Sequence, residues 1–110
     1  MSPYLPALTP LQFIVLGALL AGEQRGRAVR QELTRHRVRR TAPAFYQMMA
    51  RLEDAGWVSG FYRQRVEDSQ LLKERWYRIT ASGMRAWSHT RDFYGEIAAR
   101  AGQPTEAYGA

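Results

Sequence analysis

TAPAFYQMMARLEDAGWV, residues 41–58, carries a helix start, a helix stop and two faces of different character. The Thr41 hydroxyl can accept from the free N–H groups of a first turn, and Pro43 sits early, where a missing N–H costs nothing. Phe45, Met48, Met49 and Leu52 recur at the three- and four-residue spacing that stacks side chains on one side of a helix. Gly56 follows as the residue suited to a left-handed stop. The opposite side presents Ala44, Gln47, Ala50 and Arg51, with Tyr46 on the flank: small residues among long or planar groups that hydrogen-bond. Such a face suits a DNA groove. An ordinary solvated surface helix accounts for the same pattern equally well.

The surrounding charge bears on that choice. The chain of 110 residues has a formal charge of +6, and between Gln24 and Arg65 ten arginines stand against Glu32, Glu53 and Asp54, a local balance of +7. A basic segment flanking a groove helix favours a polyanion partner. Fifteen arginines to one lysine also fit a bias of base composition, which explains the count better than it explains the clustering.

The length suits one compact domain. No apolar run approaches the roughly 18 residues of a membrane span, and no signal peptide is visible. Without cysteine there is no disulfide framework, and His36 and His89 make a poor basis for a metal site. These features fit a reducing interior, and the expected location is cytoplasmic, with no membrane partner, metal or cofactor. There is no nucleophile elbow or phosphate-cradling glycine loop, and the adjacent acids Glu53-Asp54 and Glu67-Asp68 point to different faces. An enzyme is not expected.

In chain order, residues 1–8 read as an arm. Thr9 caps and Pro10 opens a helix through Leu20, with Phe13, Ile14, Leu16, Leu19 and Leu20 apolar. Gly26 precedes a second helix from Arg27 to His36, with Ala28, Val29 and Leu33 inward. RHRVRRT, in which only Val38 is apolar, reads as an extended link or a single-residue strand contact. After the central helix, residues 57–63 and 74–79 are rich in aromatic and β-branched residues and should pair as a hairpin around the polar segment 64–73. Thr80 caps a last helix to about Arg100, and Gly102, Gln103, Pro104 and Gly109 mark a frayed tail.

Three helices and a two-stranded wing make a mainly α winged helix-turn-helix: a DNA-binding domain over residues 1–80, a C-terminal helix over 81–101 and a tail over 102–110. LTPLQFIVLGAL (8–19), FYQMMARLEDAGWV (45–58) and KERWYRITASG (73–83) resemble the three signature blocks of the PadR transcriptional regulators. The chain departs from that pattern at Gly26-Arg27, where a Gly-Tyr pair is usual, at Phe45 and Met49, which replace leucines, and at a wing tip, Glu67 to Leu72, without glycine.

Gln47 and Arg51 are the candidates for base edges, beside the small Ala44. Tyr46, Arg39, Arg40, Arg63, Arg65, Lys73 and Arg75 are the candidates for phosphates, and for each wing arginine a solvated strand face competes with a contact. The resemblance supports Tyr46 as a residue turned toward the DNA backbone. On the last helix Met84, Trp87, Tyr94, Ile97, Ala98 and Ala101 form an apolar stripe too large for a three-helix core, so a partner helix is needed. The resemblance implies a homodimer built on this helix, most often a repressor, and in some members a small planar aromatic effector between subunits. Trp87, Phe93 and Tyr94 hold the matching positions, although rings that only pack a dimer seam explain them too. The competing function is a winged-helix module that binds protein and not DNA.

Overall fold

The structure, a computed structural model, describes residues 5–102; residues 103–110 of the tail expected over 102–110, and residues 1–4 of the expected arm, lie outside it. Helix α1 spans Pro10–Ala18, strand β1 Gln24–Arg25, α2 Gly26–Arg35, α3 Ala42–Asp54, β2 Val58–Glu67, β3 Gln70–Ile79 and α4 Ala81–Ala101. The sheet order is β1-β3-β2, antiparallel throughout. The expected winged helix-turn-helix with a C-terminal helix is the fold observed.

The caps act where the side chains allow. At α1 the Gln12 N–H donates to the Thr9 hydroxyl (3.1 Å) while the Thr9 N–H donates to the Gln12 carboxamide (2.9 Å), a reciprocal box. Thr41 accepts from the Ala44 N–H, and Thr80 from the Gly83 N–H. Helix α3 ends as expected at Gly56, whose φ of +79° lets the Trp57 N–H reach back to the Leu52 carbonyl and its own N–H to the Glu53 carbonyl. Helix α2 ends in the same motif without a glycine. Arg37 takes φ +61°, and the Val38 N–H donates to the Leu33 carbonyl. Val38 therefore closes a helix and packs on the core; residues 38–41 form the short link expected there, and no strand contact is made.

Leu16, Leu19, Leu33, Phe45, Met49 and Leu52 are each at most 1% exposed, joined by Val15, Val29, Val58 and Tyr77. Leu8 belongs to this core too, so the expected arm stops short of it. Helix α1 ends two residues before the expected Leu20, which is exposed.

Two features of the sheet escaped the sequence. Strand β1 is two residues long, pairing Gln24 with Tyr77 and Arg25 with Trp76, too short to show any period. The polar segment 64–73 is not a loop. It continues both strands to a two-residue turn at Asp68 (φ +50°) and Ser69 (φ +63°), between the paired Glu67 and Gln70. Positive φ at both central residues matches the strands' own twist, and aspartate tolerates it better than most residues.

Beneath the wing, Tyr77 is 2% exposed. Burial pushes its hydroxyl above the ordinary pKa of 10.0, the Glu53 charge adding to the rise and the Arg75 guanidinium opposing it. The folded state thus holds this proton more tightly than the unfolded state. That contribution is complete below about pH 10 and is lost as pH rises past it. Urea midpoints measured from pH 8 to pH 11 should therefore fall less for Tyr77→Phe than for the wild type. Equal alkaline losses in the two proteins would assign the titration to another group.

Candidate nucleic-acid interface

The groove face of α3 is built by its own periodicity. With Phe45, Met49 and Leu52 turned into the core, Gln47, Ala50 and Arg51 must face outward, and all three are exposed. Arg40, Ala44, Gln47 and Arg51 line one concavity of about 590 Å³ together with Thr9 to Gln12 at the start of α1. Four sequence candidates thus share one surface. Asp54 lies on the same exposed flank, three residues beyond Arg51. A carboxylate there weakens the positive field at the C-terminal end of that face.

Tyr46 stands beside this concavity, 41% exposed and edge-on to Phe45, with ring centroids 5.1 Å apart. A Cβ added at Gly26 would lie 3.0 Å from its hydroxyl oxygen. The tyrosine therefore rests over the start of α2, and the bare glycine is what lets it sit there.

The wing cations divide. Side chains alternate across a strand, and the register pairs Arg63 with Glu74 and Arg65 with Leu72 on one face, and Tyr62 with Arg75 and Gln64 with Lys73 on the other. Only the second face is turned to α3, where Arg75 donates to the Glu53 carboxylate (2.7 Å) and crosses Gly60. A Cβ at Gly60 would come within 2.2 Å of that carboxylate. Burial pulls the Arg75 pKa down, but its bond with the Tyr77 hydroxyl and the Glu53 charge outweigh this and raise it, so the cation persists at any working pH.

Arg63 and Arg65, expected at phosphates, are occupied on the far face. Arg63 pairs with Glu23 and lies over the Trp76 ring at 4.2 Å. Arg65 pairs with Glu74 and with Glu67 (2.7 Å). Arg25 also pairs with Glu74, at 3.7 Å. Of the four wing cations, three have carboxylate partners and two face away from α3. Lys73 is the wing candidate on the α3 side without an ion pair among the described residues. Arg39 and Arg40, in the turn before α3, are exposed and make none either.

Helix α4 separates the residues that its stripe grouped. Trp87 stacks on Phe13 of α1, with centroids 5.1 Å apart and planes 5° from parallel, under Arg91. Gly83 and Thr90 are buried on that side. Tyr94, Ile97 and Ala101 continue the same line beyond the domain, where Tyr94 is 55% and Ile97 50% exposed. Met84 is exposed as well but lies about a third of a turn off that line, and so is not part of the same stripe. Phe93 meets Tyr94 edge-on at 5.3 Å and His89 at 6.4 Å. Within one chain Trp87 and the Phe93–Tyr94 pair form two separate aromatic groups.

Three α-helices, a β2–β3 wing joined at its edge by β1 from between α1 and α2, and a long trailing helix define a winged helix-turn-helix protein. Solved structures share the architecture. A PadR family transcriptional regulator from Eggerthella lenta is 24% identical, with a TM-score of 0.63 over 84% of this chain and 78% of that one. Bacillus subtilis PadR in complex with operator DNA is 20% identical, with a TM-score of 0.59 over 74% of this chain and 46% of that one. A PadR-like transcription factor from Bacteroides fragilis gives 0.67 at 15% identity, over 83% and 85%. No protein family's sequence pattern and no curated protein matches the chain. The chain has the PadR-type winged-helix fold. Among the described residues, no helix is long and apolar enough to cross a membrane.

Proposed function

We propose that the protein is a DNA-binding transcriptional regulator of the PadR family, acting as a homodimeric repressor. The observation that carries this is the concavity in which Arg40, Ala44, Gln47 and Arg51 meet, with neighbouring arginines that no carboxylate neutralises. The operator DNA bound by the B. subtilis structure, which shares the fold, supports the same reading. Gln47 and Arg51 read base edges, while Tyr46, Arg39, Arg40 and Lys73 hold phosphates. Two copies joined through α4 place two α3 helices on half-sites about one helical turn, roughly 34 to 36 Å, apart.

The test is binding to a panel of duplexes by fluorescence anisotropy at several salt concentrations. Gln47→Ala should relax preference at one base position, each mismatch there costing about 1–3 kcal/mol in the wild type and less in the variant. Arg63→Ala, whose cation is already held by Glu23 on the far wing face, should leave both affinity and salt slope nearly unchanged. Arg40→Ala should reduce that slope by about one phosphate's worth. If no duplex binds even at high micromolar protein and low salt, the fold serves protein interaction instead.

An effector, in this reading, is a flat aromatic molecule lodged where the two α4 helices meet, against Phe93 and Tyr94 with Trp87 nearby. The Trp87 Nε1 is enclosed within its own chain beside Gly17 of α1, so Phe93 and Tyr94 are the rings such a ligand would meet first. Trp fluorescence during titration with planar aromatic compounds, with and without DNA, tests it. A ligand that binds equally in both conditions is no switch.

A further inference from the structure

Among the described residues, four arginines without an ion pair gather at the helix-turn-helix turn, on the other side of Arg40 from the groove face. Arg27 and Arg30 on α2 and Arg39 and Arg40 in the turn line a second concavity of about 580 Å³, and no acidic residue lines it with them. None of the four makes an ion pair among the described residues, whereas Arg25, Arg63, Arg65 and Arg75 around the wing all do. The Arg30 guanidinium is held in place: its Nε and Nη2 donate to the Arg40 carbonyl at 3.1 and 2.9 Å. Those two bonds leave more than half of its N–H donors available.

We propose that this concavity is a phosphate-binding pocket, separate from the base-reading face of α3, in which Arg27, Arg30, Arg39 and Arg40 share the oxygens of one or two phosphate groups. Four arginines lining one concavity without a carboxylate repel one another. A phosphate between them turns that repulsion into attraction, and the planar fork of arginine matches two phosphate oxygens at once. Thr41, at the start of α3, stands on the rim, so the positive end of that helix dipole adds to the field. The volume falls within the range of about 300 to 1,000 Å³ usual for small-ligand sites, which leaves room for more than one phosphate. The phosphate comes either from a DNA strand, an assignment that rests on the function proposed above, or from a free phosphorylated compound.

The experiment uses pyrophosphate and a short duplex with the full chain, by calorimetry and anisotropy. Pyrophosphate should bind the wild type once per chain, and the double variant Arg27→Gln/Arg39→Gln at least tenfold more weakly with an unchanged thermal midpoint. Should the double variant be less stable, Arg27→Gln alone gives the readout, because that side chain makes no hydrogen bond or ion pair among the described residues. Equal affinity in variant and wild type overturns the proposal, as does no pyrophosphate binding by the wild type. Given binding that depends on the arginines, displacement of pyrophosphate by duplex identifies the occupant as a backbone phosphate, and a ternary complex identifies it as a free phosphate compound. A wild type that takes pyrophosphate in this arginine-dependent way but binds no duplex keeps the pocket and removes the DNA reading. One that binds duplex but no pyrophosphate does the reverse.

Discussion

Leu52→Ala should cost about 2 to 5 kcal/mol, the range for deleting a fully buried leucine and leaving a cavity. Leu52 is 0% exposed and packs with Phe45 and Met49 from its own helix in the core that also takes Leu16 and Val58. Its carbonyl accepts the Trp57 N–H that closes α3, so the residue sits where the helix turns into the wing. Against the roughly 5 to 15 kcal/mol by which small domains are stable, a loss of this size shifts the urea midpoint far. The comparison is Arg51→Ala, one position earlier and exposed, for which the loss should stay within about 0.5 kcal/mol. If the two losses are alike, the inward face of α3 has been misassigned.

Ile97→Asp should dissociate the proposed dimer. Tyr94, Ile97 and Ala101 continue the line along which Gly83 and Thr90 are buried, but past the end of the domain Tyr94 and Ile97 stay half exposed among the described residues. A two-fold pairing of α4 lets one patch complete itself in both subunits. A carboxylate left in such a seam without a partner costs about 3 kcal/mol or more, which corresponds to at least a hundredfold rise in the dimer dissociation constant. In the single chain Ile97 is 50% exposed, so the fold of each subunit should be untouched and its circular dichroism unchanged. Sedimentation velocity reads the result directly, and affinity for a two-half-site duplex should fall with it. A variant that still sediments as a dimer would reject α4 as the seam.

The helices of this protein were legible because their signals are local. Thr9, Thr41 and Thr80 cap, Pro10 opens α1, Gly56 stops α3, and the three- and four-residue spacing names the buried side of each helix before any tertiary contact is known. Leu16, Leu19, Leu33, Phe45, Met49 and Leu52, each placed inward by that spacing, are buried for the same reason. Segment 64–73 misled because polar strands in a wing exposed on both faces have no apolar alternation to display, and the Asp68-Ser69 turn lacks a glycine. On α4 the stripe was visible but its division was not: Trp87 stacks on Phe13 of α1, whereas Tyr94, 55% exposed, meets Phe93 of its own helix.

By itself, then, the sequence determined the helices, their caps, the inward faces, the presence of a wing and a basic middle, all properties set by residues within a few positions of one another. Which of the cations are available to a ligand was decided only by the tertiary structure. The register of β2 and β3 divides the wing cations between two faces, and the fold brings Glu23 to Arg63 across 40 positions and Glu53 to Arg75 across 22. An arginine beside a carboxylate and an arginine facing solvent have the same local sequence signature. Their charges differ in availability because electrostatic neutralisation depends on distance in space, which strand pairing sets and spacing along the chain does not.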